Sequence, residues 1–171
     1  MLRRTLDQLY NAAAYVAALL MVGTLVMVLL GIFGRLLSFQ VRGTDAYAGY
    51  CMAGAGFLAM AYTLMRGEHI RVTLVLEHVG TTGKRWLERW SLLAAMVLTI
   101  AFAWFSVRLA WQSHAFHDIS TGNDATPLWI PQLSMAIGNV VLAIAFIDLL
   151  VAQLRGTNIM SRPGSEPAHV E

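Results

Sequence analysis

Few side chains in this 171-residue chain have the type and spacing to do chemistry. His114 and His117 stand three apart with Asp118 beside them, and His at i and i+3 can share a helix face and ligate a metal. Nothing in the neighbourhood supplies a fourth ligand, so a solvated loop is the ordinary reading of that segment. The one cysteine, Cys51, forbids an intrachain disulfide and any CxxC motif, and its apolar surroundings suit a small buried residue. His69, His78 and His169, like His114 and His117, fall in polar connections or the tail, so no pair is placed to hold a haem inside a bundle. GxSxG, HExxH, a Walker loop and a Gly-rich dinucleotide turn are all missing. The expectation is a chain with no catalytic residue, no cofactor and no metal.

What remains is the framework that would have positioned such residues. Hydrophobic residues make up 57% of the chain and charged residues 13%, about half the charged share of an ordinary soluble domain. Four stretches contain no Asp, Glu, Lys or Arg: Leu9 to Gly34, Ala46 to Met65, Trp90 to Val107, and Ala125 to Ile147. Each is close to the ~20 apolar residues that carry a helix across a bilayer core. Backbone groups in lipid must bond within their own segment, and period-2 alternation is absent, so the stretches read as helices and not as barrel strands. The predicted fold is an all-α membrane protein with four spanning helices, near residues 9–34, 46–65, 86–110 and 128–153. Residues 1–155 form one domain, and 156–171, with Pro163 and Pro167, a mobile cytoplasmic tail. The first stretch is longer than a signal-peptide core and no small-x-small site ends it, so it is read as a retained helix.

The basic residues set the orientation. Arg3, Arg4, Arg66, Arg71, Lys84, Arg85, Arg89, Arg155 and Arg162 fall on one side of the four spans, and Arg35, Arg42 and Arg108 on the other. Nine of the 12 on one side place both termini in the cytoplasm. The same flanking pattern explains the pI of about 9.0 as contact with membrane lipids, with no nucleic acid implied. Trp86, Trp90, Trp111 and Trp129 sit at predicted span ends, where they, with Arg66, His69, Arg71, Lys84 and Arg85, form candidate membrane-interface anchors. Pro127 and Pro131 precede or open the fourth helix, where a missing N–H is harmless. Between spans two and three, Val72, Val75, Leu76 and Val79 follow helical spacing in a segment too short to cross, which predicts an interfacial amphipathic helix over about 69–79.

Inside the spans, Asn139 suits interhelical hydrogen bonding, and Asp148 suits a contact with Arg155 or the headgroups. No chain of acidic or His residues runs through the bilayer as a proton relay requires. In the second span Ala46, Gly49, Ala53 and Gly56 form a stripe of small residues. Such a stripe lets another helix approach closely in lipid. That helix could be one of the chain's own or one from a partner, and Gly49, Ala53 and Gly56 are the candidate partner-packing residues.

The run from Asp45 onward resembles the small, DctQ-type membrane subunit of tripartite ATP-independent periplasmic (TRAP) transporters. The matching residues are DAYAGY from Asp45 to Tyr50, Phe57-Leu58-Ala59, and MRGEHIRV from Met65 to Val72. Ser120 and the TPLWIP run from Thr126 to Pro131 are similar to the family's approach to its fourth helix. Thr73 stands where the family often has Asp, and Ala59 where it often has Gly.

The resemblance implies partners: a large TRAP membrane subunit and a periplasmic substrate-binding protein, in the bacterial inner membrane. It also implies sodium-driven uptake of a carboxylate, such as a C4-dicarboxylate or a sialic acid. The large subunit would hold the substrate and ion sites, and the small one would act as a scaffold. An alternative from another class is the membrane anchor of a redox complex, which a haem spectrum would mark. Another is a small lipid-modifying enzyme, which activity on lipid would mark. Both lack their expected residues.

Overall fold

The computed structural model describes residues 2–39, 41–66, 81–122 and 124–155. Four helices account for most of them: α1 (Leu2–Leu36), α2 (Thr44–Arg66), α3 (Thr81–Ala115) and α4 (Trp129–Leu154). All four are long and apolar enough to cross a membrane. The predicted amphipathic helix over 69–79, with His69 and Arg71, and the predicted tail over 156–171 lie outside the described residues. So do the side chains of Lys84 and Arg85, whose backbone belongs to the first turns of α3.

The helices run past the charge-free stretches. α1 and α3 have 35 residues each, or about 52 Å of helix at 1.5 Å per residue. α2 and α4 have 23 and 26. The extra turns on α1 and α3 carry Arg, Asp, Glu and Gln in their sequence, residue types that a helix accommodates without ending.

Packing follows a row. α1 packs on α2, α2 on α4, and α4 on α3, with only a narrow contact between α1 and α4. α2 and α4 therefore form the middle, and α1 and α3 present most of their surface outward. The core joins Tyr10, Ala13 and Ala17 of α1 to Leu58, Ala61 and Leu64 of α2 and to Val141, Leu142, Ala145 and Leu149 of α4. Small residues dominate because apolar burial gives helices no preference for each other over lipid, and close backbone approach supplies the attraction instead. A Cβ on Gly138 would come within 2.7 Å of the Phe57 backbone, and one on Gly54 within 2.9 Å of Leu20 and 3.0 Å of Ser134. Both glycines are thus required where α2 meets its neighbours.

Polar pairs tie the rest. Asn139, 5% exposed, donates from Nδ2 to Ser106 Oγ at 2.7 Å, joining α4 to α3, and Ser106 in turn donates to the Phe102 carbonyl. Asp148 meets Arg3 of α1 at 3.6 Å, where the sequence had suggested Arg155 or the headgroups. Arg3 also approaches Asp7 at 4.0 Å. The ends of the chain's first and last helices thereby adjoin, and this end of the bundle is called proximal below.

The difference between filled and open glycines is testable. Gly138→Ala should lower the thermal stability of the detergent-solubilised chain by about 1–3 kcal/mol, because the new methyl meets backbone that cannot turn aside. Gly49→Ala, where no atom lies within 4 Å of the added Cβ, should stay within about 0.5 kcal/mol of wild type. Equal losses would contradict the packing described.

Candidate functional site

α2 is built of small residues on every side, and its two faces have different fates. Ala48, Gly54, Ala55, Leu58 and Ala61 are buried, and Cys51 lies where a Cβ on Gly23 of α1 would touch its sulfur at 3.4 Å. On the other face Gly49, Ala53 and Gly56 are exposed. Nothing lies within 4 Å of a Cβ built on Gly49 or Gly56. Met52 and Met60, both exposed, flank this open strip, and their flexible thioether side chains can conform to an uneven surface.

The candidate anchors scatter along the edges of the row. Trp86 and Trp90 of α3 lie 5.6 Å apart between ring centroids, both exposed near the proximal end. Arg66 closes α2 with its guanidinium 5.0 Å above the Tyr62 ring. At the opposite, distal end Trp111 is 77% exposed, whereas Trp129 is half-buried and packs edge-on against His114 at 5.3 Å. His114 and His117 stack at 6.5 Å. Among the described residues no three His, Cys, Asp or Glu side chains come together.

A feature that spacing along the chain did not signal lies at the distal end, where the connection from α3 to α4 is latched onto α2. Ile119 and Pro127 form an antiparallel bridge that closes the connection on itself. Inside it Asp124 accepts a hydrogen bond from Ser120 Oγ at 2.8 Å and one from Tyr50 Oη of α2 at 3.1 Å. Thr126 Oγ1 donates to Tyr47 Oη at 3.0 Å, and Tyr47 and Tyr50 meet edge to face. Gly43, at φ 81°, fits beneath, since a Cβ there would come within 2.7 Å of Asp124 Cβ. Five side chains from two segments of the sequence thus fix the loop over α2. Tyr47, Tyr50, Ser120 and Thr126 belong to the motif segments quoted above, but their pairing is a property of the fold.

The family model for the DctQ component of tripartite ATP-independent periplasmic transporters matches residues 24–156. The chain belongs to the DctQ family. That family works in TRAP transporters together with a large membrane subunit and a periplasmic binding protein, and it is a transporter component and not an enzyme family. No curated protein and no solved structure matches the chain. On this DctQ chain several of the motif residues lie near element ends, while Phe57, Leu58 and Ala59 lie within α2. Asp45 lies in the first turn of α2, Arg66 closes that helix, and Thr126 and Pro127 lead into α4.

The latch has a pH signature. Hydrogen bonding, from Ser120 first and also from Thr126 and Tyr50, holds the Asp124 carboxyl down at about 2 against an ordinary 3.8. A depressed carboxylate adds stability that is fully present above 3.8 and is lost as pH falls through about 2. The Asp124 carboxyl resonance, followed by NMR in micelles, should therefore titrate below pH 3.8, and Ser120→Ala should move its midpoint up toward that value. A midpoint unmoved by Ser120→Ala would break the assignment.

Proposed function

We propose that this chain is the scaffold subunit of a sodium-driven, binding-protein-dependent carboxylate transporter in the bacterial inner membrane, with a helix of the large subunit seated on the Gly49–Ala53–Gly56 face of α2. The observation that carries this reading is the contrast between glycines. Gly54 and Gly138 are filled by the chain's own atoms, and Gly49 and Gly56 are open. A helix with small residues gives up dispersion contact unless another backbone comes close, so an open strip in lipid is a loss that a partner helix removes. The polar groups within the helices support a passive role. Asn139 is engaged by Ser106 and Asp148 by Arg3, which suits packing better than ion coupling.

Gly49→Leu and Gly56→Leu should leave the chain inserted and stable, because Leu favours insertion, while the large subunit no longer co-purifies in mild detergent. Degradation of the variant chain, or an undiminished complex, would rule the docking face out. Asn139→Ala and Asp148→Ala should reduce the abundance of the assembled complex and leave sodium dependence of uptake intact. Loss of sodium coupling in a normally assembled complex would overturn the passive scaffold.

Orientation is part of the same proposal and rests on the nine-to-three division of basic residues. In a Cys51→Ala background, cysteines at positions 82 and 165 should resist an impermeant thiol reagent in intact cells, and one at position 123 should react. The reverse pattern would invert the topology.

A further inference from the structure

At the distal end, the end of α1 and the start of α2 line a half-open cavity of about 320 Å³. Gly31, Gly34, Arg35, Arg42, Thr44 and Asp45 are among the residues that line it. The two α1 glycines leave the room. A Cβ on Gly31 would stand 3.2 Å from Thr44 Oγ1, and one on Gly34 would stand 2.7 Å from the Phe39 carbonyl oxygen.

The lining is rich in donors that lack partners. Thr44 is 8% exposed, and its hydroxyl makes no hydrogen bond among the described residues. Tyr47 is the first residue of α2 whose amide bonds back, to the Gly43 carbonyl, so the amides of Thr44, Asp45 and Ala46 are free at the helix start. Neither Arg35 nor Arg42 has an acidic partner within 4.0 Å among the described residues, and both guanidinium side chains are exposed at the rim. A helix start, a buried hydroxyl and two guanidinium groups together suit a phosphate group. Asp45, lining the same cavity without an ion-pair partner among the described residues, adds a place for an amine.

The surroundings decide what carries the phosphate. Leu36, Leu37 and Phe39 beside the cavity are exposed, and the cavity lies where α1 ends, at the level expected for lipid headgroups. A free phosphate would leave that apolar rim uncovered and would meet the Asp45 carboxylate unscreened. A phospholipid covers the rim with its acyl chains. We propose that this cavity binds the headgroup of a phospholipid bearing a primary amine, with its phosphodiester against Arg35, Arg42 and the start of α2 and its ammonium group beside Asp45.

The test uses the full chain with its large subunit, extracted in mild detergent from membranes containing phosphatidylethanolamine and phosphatidylglycerol. Lipid retained after washing is then quantified by mass spectrometry. Phosphatidylethanolamine should be retained in preference, and the double variant Arg35→Gln/Arg42→Gln should reduce it about tenfold, as loss of charge-assisted bonds implies. Asp45→Asn should erase the preference for phosphatidylethanolamine over phosphatidylglycerol. Arg108→Gln, remote from the cavity, should change neither. Inorganic phosphate at millimolar concentration should not displace the lipid. Wild-type retention in the double variant, or displacement by inorganic phosphate, would overturn the proposal. If the double variant does not accumulate, the wild-type complex decides alone, since equal retention of the two lipids also overturns it.

Discussion

The structure depends on the meeting of Gly138 with the backbone of Phe57. α1 packs on α2 and α3 on α4, so the chain consists of two helix pairs, and the close approach of α4 to α2 at this point joins them. In water a core of large side chains could do this through burial. In lipid that driving force is missing, and dispersion between backbones at short range replaces it. The fully buried Ala61 and Ala145 on the same two helices continue the contact toward the proximal end.

Polar groups then fix what packing leaves free. At the proximal end the Arg3–Asp148 pair ties α1 to α4, which otherwise touch little. In between, Asn139 and Ser106 hold α3 against α4. At the distal end Asp124 and the tyrosines of α2 hold the long connection. The three ties sit at different places in the bundle. The Arg3–Asp148 pair and the latch link parts that the row of helices does not join by packing, and Asn139 with Ser106 reinforces the packed α3–α4 pair.

The four helices were legible because the absence of charge over some 20 residues is a signal confined to each segment. Their ends were less so. Residues such as Arg3, Asp7 and Glu88 break the apolar run without breaking the helix, so α1 and α3 extend beyond it. The stripe on α2 shows a different limit. Small residues cover both sides of that helix, and Gly49 and Gly54 look alike in sequence although one is open and the other is filled. The latch was hidden because Tyr50 and Asp124 lie 74 positions apart, and local spacing carries no trace of such a pairing. Asp148 finding Arg3 instead of Arg155 is the same effect, a partner brought by topology from the far end of the chain.

The unequal helix lengths have a consequence for the bilayer. α1 and α3 flank the row at about 52 Å each, while a hydrocarbon core is about 30 Å thick. The middle pair, at 23 and 26 residues, spans about 35–39 Å and comes nearer to a match. Hydrophobic mismatch is relieved by tilt, by projection of polar turns, or by deformation of the surrounding lipid. The flanking helices can use the first two, since their surplus turns are polar and each is packed mainly on one neighbour. α2 and α4, locked at Gly138, cannot lean independently. A thicker or thinner membrane would therefore be felt at the flanks of the row, leaving the angle between its two central helices unchanged.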